Sequence, residues 1–263
     1  MSKEKAFIVD AGITNLPFPI RAFSKAYPQG QPTVASITAH ARIKQEFEAR
    51  WIDRFIQILH KHREELGSVN IRGILEDVKR ETNASSVEVR FDYPFFIEKL
   101  TPVDKEKCLV RYMCSLTGRA TALREKPRII FKIDVPIITT YPASMPEEPG
   151  GLFGQLSIVS IEVESDETIY PEDLAEMADE YALAPIYSFL TERDQLYIIK
   201  KIHSEYKYSV TVVDQIKEAL AKNRKIKWYA VNSHNYGMLH NYSTLVTIEK
   251  GMWIPFSTYE EGT

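Results

Sequence analysis

Hydrophobic and polar positions change period several times along the chain, and each change marks an element. From Gln31 to Ile43, Ala35, Ile37 and Ala39 alternate with Val34, Ser36 and Thr38, which predicts a strand opened by Gly30 and Pro32. Between Glu48 and Leu66 the spacing becomes helical: Trp51, Ile52, Phe55, Ile56, Ile58 and Leu59 form an apolar stripe, and Gly67 supplies a stop. Ile71, Ile74, Leu75 and Val78 predict a second helix over Asn70 to Glu81, capped by Asn70 or Ser68. Alternation returns at Val87, Val89, Phe91 and Tyr93, with β segments to follow over Cys108 to Thr117 and Arg128 to Thr140.

The densest punctuation lies between Tyr141 and Gly154, where three prolines and three glycines interrupt the pattern. Beyond it a strand is expected at Gln155 to Glu164, helices at Pro171 to Ala182 and Thr211 to Asn223, and strands at Lys227 to Ser233 and Ser243 to Lys250. The aromatic-rich stretch from Pro185 to Tyr208 is expected to be helical in part, and the tail from Gly251 frayed. Strands, two helices and strands thus occur twice. The pattern predicts an α+β fold: residues 1–145 and 146–263 as two modules of one compact unit, each an antiparallel sheet with helices on one face.

Composition narrows the function. The 263 residues are 44% hydrophobic, enough to bury a core, and the net charge of −3 comes from interspersed acids and bases. Neither nucleic acid nor membrane is an expected partner. The apolar run from Ala6 to Val9 is too short for a signal-peptide core, and no apolar stretch approaches the ~18 residues of a membrane span. A cytoplasmic protein is expected. Cys108 and Cys114 share one face of a single predicted strand, where bridging is geometrically poor, so both are expected reduced.

Local patterns in order along nearly the whole chain carry a resemblance. Ala11-Gly12-Ile13 through Pro19-Ile20, Gln31-Pro32-Thr33-Val34-Ala35, Ile52-Asp53-Arg54-Phe55, the Tyr93 to Val103 strand end with Lys99, Tyr187-Ser188-Phe189-Leu190, and Leu239-His240-Asn241 together resemble GTP cyclohydrolase IB. The resemblance implies two tandem tunnelling-fold (T-fold) modules that assemble into a homo-oligomeric barrel, a homodimer or homotetramer, with sites at subunit interfaces. It also implies a divalent metal that activates water and a carboxylate that anchors guanine.

The chain departs from that family where the chemistry sits. The family's Cys-Pro-Cys-Ser turn stands here as Tyr141-Pro142-Ala143-Ser144. Phe153 replaces a histidine, Pro185 a carboxylate, and Gly237 and Tyr242 an acid and a second histidine. His240 and Asn241 remain. A lone imidazole cannot hold a catalytic metal that needs about three protein ligands. No metal or other cofactor is expected.

His240 is the candidate general acid or base. Tyr141, Ser144, Phe153, Gln155, Tyr187, Asn241 and Tyr242 are the candidate substrate contacts, with Lys99 and Arg54 as basic residues able to meet a phosphate or carboxylate. Their aromatic character suits a flat ligand. The expected function is a repurposed, metal-independent enzyme acting on a small metabolite, with a heterocycle among the candidates, in a biosynthetic pathway. The alternatives are a non-catalytic binding or assembly subunit and a GTP cyclohydrolase with substitute ligands. His60 and His62 are expected on solvated surface, on different faces of their helix.

Overall fold

The computed structural model describes residues 8–44, 48–62, 68–121 and 126–251. Two long strands, β1 (Ile8–Ala22) and β2 (Gln31–Lys44), precede the helices α1 (Glu48–His62) and α2 (Ser68–Thr82); β3 (Ser86–Leu100), β4 (Lys107–Thr121), β5 (Arg128–Thr140) and β6 (Gly154–Ser165) follow. After them come α3 (Pro171–Tyr181), the two-residue β7 (Ala184–Pro185), α4 (Glu192–Ser204), α5 (Ser209–Lys222), β8 (Ile226–Tyr236) and β9 (Ser243–Glu249). All strands join one antiparallel sheet in the order β1-β2-β3-β4-β5-β6-β8-β9, with β7 paired to β5. The architecture is α+β. The expected ends of the first helix at Leu66 and of the chain beyond Gly251 lie outside the described residues.

Packing fixes the helices. Trp51, Phe55, Ile58 and Leu59 of α1 and Ile71, Ile74, Leu75 and Val78 of α2 are buried almost completely against the sheet. Each such side chain contributes about 1.5–3 kcal/mol by burial, which outweighs the helix-propensity cost of Gly73 in α2, about 1 kcal/mol. Gly118 on β4 lets α2 approach closely: a Cβ there would lie 2.7 Å from Leu75 Cδ1 and 2.9 Å from Ile71 Cδ1. Asp77 joins the two helices, accepting hydrogen bonds from Lys61 and Arg80 and contacting His62 Nε2 at 2.9 Å. His62 is therefore tied into the helix hairpin, not solvated as its sequence position suggested; its side chain is 15% exposed.

α3 packs on β5, and α5 on β8 and β9. α4 departs from the one-face expectation. A Cβ at Gly154 would meet Ile138 and, 3.1 Å away, Ile202 of α4. Ile138 alternates with the buried Ile137 and Thr139, so this end of α4 reaches the opposite face of the sheet.

In β3 and β5 a proline falls where the ladder on one side stops. In β3, Pro94 lies beyond the last β2 pair, Ser36 with Asp92. There the Gln31 side chain stands in for a strand, donating to the Phe96 carbonyl at 2.9 Å and accepting from its N–H at 2.8 Å. In β5, Pro136 falls between the last β4 pair, Met113 with Asp134, and the first β7 pair, Ile137 with Pro185. A residue without an N–H sits where the sheet forks. Cys108 and Cys114 are buried and free, on one face of β4 as expected.

Candidate functional site

β5 ends in the turn that begins at Tyr141, and the chain returns as Phe153 enters β6. Tyr141 N–H donates to the Phe153 carbonyl at 3.0 Å, and the two rings stack at 4.9 Å. The Ser144 hydroxyl is spent within the same turn, bonded to the Phe153 backbone. Opposite, the turn between β8 and β9 brings His240 to 6.4 Å from Tyr141, centroid to centroid, and stacks it on Tyr242 at 4.9 Å and 9°. Tyr141 is buried, Phe153 half-buried, and His240, Asn241 and Tyr242 exposed. Four rings thus run from the sheet end toward solvent. The imidazole in this row can take or give a proton, and the flanking faces can hold a flat molecule.

Behind these rings lies a buried polar ladder. Gln155 Nε2 donates to Thr139 Oγ1 at 3.2 Å, Thr139 and Ser157 share a hydrogen bond of 2.7 Å, and Ser157 Oγ donates to Asn235 Oδ1 at 2.8 Å. Ser233 Oγ donates to the same Asn235 oxygen at 2.9 Å. Because Ser157 gives its only proton to Asn235, Thr139 must be the donor in the bond they share, and the ladder has one polarity. Gln155 is one of the expected contacts; here its amide nitrogen is held by Thr139 and the Thr140 carbonyl. Asn235 belongs to the first of two His-Asn-Tyr runs, and sequence reasoning singled out only Asn241 of the second. The available signal was the alternation through Ser233 and Asn235, which turns both inward.

The remaining expected contacts are elsewhere. Tyr187 follows β7, which runs antiparallel to β5 and so leads away from the Tyr141 turn. It lies instead with Lys99, whose Nζ is 5.8 Å from its ring centroid. Arg54 is exposed on α1 and joins neither group. An apolar cavity on the helix-covered face, lined among others by Phe23, Tyr93, Phe131 and Ile169, contains none of the expected site residues.

The donor set does not suit a metal. Among the described residues no three His, Cys, Asp or Glu side chains are grouped so as to hold an ion, and the ring neighbours of His240 are Tyr141 and Tyr242. The described residues of one chain bring no such donor set together.

The fold is that of the T-fold class: solved structures of the uricase from Arthrobacter globiformis match at a TM-score of 0.51 over 98% of this chain and 99% of that one, with 8% identity. A hyper-thermostable mutant of that uricase reaches 0.53 over 95% and 94%, again at 8% identity. These matches concern fold alone. Residues 2–245 match the family model described as type I GTP cyclohydrolase folE2, and the chain belongs to that family. That description stands in place of the IB label. Among the relatives, the GTP cyclohydrolase FolE2 of Dictyoglomus turgidum is 31% identical over 252 residues, covering 94% of each chain. That of Thermosipho africanus is 29% identical over 237 residues, covering 90% of each.

Proposed function

We propose that this member of the GTP cyclohydrolase family is a divergent one, lacking the family's metal ligands, that binds a small heterocyclic metabolite in the Tyr141 recess and acts on it without a metal, in a biosynthetic pathway. The observation that carries the reading is the ring row Phe153, Tyr141, His240 and Tyr242, standing where the resemblance puts a thiolate and imidazole donor set. His240 is the acid or base, and the ligand lies against the row between the Tyr141 and His240 rings, with Tyr242 stacked behind the imidazole. Lys99 and Tyr187 lie outside this recess.

Self-association belongs to the same proposal. β1 and β9 are the edges of the sheet, and Tyr236, Met238, Leu239, Tyr242 and Leu245 expose apolar surface beside the recess. A second copy, in a homodimer or homotetramer forming a barrel, would cover both. The order of strands and helices over β1 to β4 recurs, with β7 and α4 added, over β5 to β9, which supports two tandem modules. A cytoplasmic setting is part of this reading; none of the described helices is long and apolar enough to cross a membrane.

A second reading is favoured by the printed names of the relatives: GTP cyclohydrolase activity, with metal donors completed by a second copy or by other residues. Metal content of untagged protein and GTP consumption with and without added divalent metal separate the two. Sub-stoichiometric metal and no GTP consumption are expected; one bound equivalent that supports turnover would establish the second reading instead.

A further inference from the structure

The cavity on the helix-covered face shares no residue with the Tyr141 recess. Its walls come from β1, α2, β3 to β6 and the start of α3, with Phe23, Ile71, Phe91, Tyr93 and Phe131 among them. The space it encloses, partly open to solvent, is about 700 Å³, within the range of small-molecule sites. The β1–β2 loop that follows Phe23 is tied down beside it: Ser24 Oγ donates to Glu172 Oε1 at 2.6 Å, and the Lys25 N–H donates to the same oxygen at 2.9 Å.

Three of the lining side chains are polar, and two of them are spent. Ser165 Oγ donates to the Lys225 carbonyl at 2.7 Å and accepts from the Glu167 N–H at 3.0 Å. The Glu167 carboxylate, at the exposed end, pairs with Lys225 Nζ at 2.7 Å. Tyr93 is the third. It is 6% exposed, and among the described residues its hydroxyl has no hydrogen-bond partner. Burial raises that hydroxyl well above its ordinary range, so it is a neutral donor.

Buried polar groups are ordinarily satisfied, so a hydroxyl left over on a cavity wall marks the place of a ligand's acceptor. Glu167 is already paired, and a charged ligand would find no counter-charge on these walls. The rings of Phe23, Phe91 and Phe131 suit a flat apolar body.

We propose that this cavity binds a small, neutral aromatic molecule with a single carbonyl, of the aryl ketone class. The carbonyl oxygen accepts from Tyr93 Oη, and the ring lies among Phe23, Phe91 and Phe131. The site is separate from the Tyr141 recess and stands whether or not the recess binds a heterocycle.

Acetophenone and ethylbenzene, alike in size but only one with an acceptor, are the probes, titrated by calorimetry against the full chain. Acetophenone is expected to bind saturably below millimolar concentration. Tyr93→Phe keeps the ring and is expected to weaken acetophenone about three- to tenfold while leaving ethylbenzene within about twofold. Ile169→Trp fills the cavity from its half-buried wall and is expected to abolish binding of both; if it fails to fold, Tyr93→Phe carries the test. Tyr141→Ala is expected to leave acetophenone affinity unchanged. Absence of saturable acetophenone binding at millimolar concentration, an unaltered ratio of the two affinities in Tyr93→Phe, undiminished binding in a folded Ile169→Trp, or loss of acetophenone binding in Tyr141→Ala would each overturn the assignment.

Discussion

The ring of Tyr141 lies directly on the backbone of Gly237: a Cβ at that glycine would stand 2.3 Å from Tyr141 Cε2. No real side chain tolerates that distance, so the glycine after β8 is what lets the turn of β5 and the turn of β8 close on one another.

Gly237→Ala should therefore push the Tyr141 ring off its seat. A destabilisation of about 1–3 kcal/mol is expected, as for other overpacked sites, together with loss of any ligand held in the recess. Chemical denaturation and the near-ultraviolet signal of the tyrosines measure both. An unchanged near-ultraviolet spectrum would show that the ring does not depend on this glycine.

The exposed His240 should behave differently. His240→Ala is expected to change stability by no more than about 0.5 kcal/mol, because its ring contacts lie on the surface, while abolishing turnover of whatever substrate is found. Full turnover in a folded variant would remove the imidazole from the chemistry.

Asn235 is the node of the buried ladder. Asn235→Ala removes the acceptor shared by Ser157 and Ser233 and leaves two hydroxyl protons in a dry interior, at a cost of about 1–3 kcal/mol. Urea denaturation measures it. A smaller loss would mean that the hydroxyls find other acceptors.

The α1–α2 hairpin should carry an acid-sensitive component of stability. Burial opposes ionisation of Asp77, but hydrogen bonds from Lys61, His62 and Arg80 outweigh it and hold the carboxyl at about 2, below its ordinary 3.8. A lowered folded-state value stabilises the fold above the unfolded-state value, and that stability is lost as pH falls from about 4 through 2. The Lys61 and Arg80 side chains are 61% and 65% exposed, so screening reduces the contribution to about 1–2 kcal/mol. Asp77→Asn should lose this amount at pH 7 and show a flatter stability profile between pH 4 and 2. An unaltered acid limb would place the sensitivity elsewhere.

Elements with a strong period were legible in the sequence, and those that borrow their stability were not. The α1 stripe of Trp51, Phe55, Ile58 and Leu59 and the alternation through β4 declare themselves because one face of each is wholly buried. β1 did not, since Pro17 and Pro19 argue against a strand; an edge position tolerates both. β7 is two residues long and exists only because β5 offers it a partner beyond Pro136. At the site, the closeness of Tyr141, Phe153 and His240 followed from the resemblance. The pairing of Lys99 with Asp179 did not, because it joins β3 to a helix 80 residues away, a distance no local period records.

The gap at Pro136 also bears on how the sheet comes apart. β5 is bonded to β6 continuously from Ile130 to Thr140, but to β4 only between Arg128 and Asp134. On that side β5 is thus held by β4 at one end and by only the two residues of β7 at the other, and amide exchange should begin at the β7 end. Residues 135–138 and the Tyr187 segment should exchange ahead of β3 and β6, so that the first breath of the molecule uncovers the Lys99–Asp179 pair while the rest of the sheet remains folded.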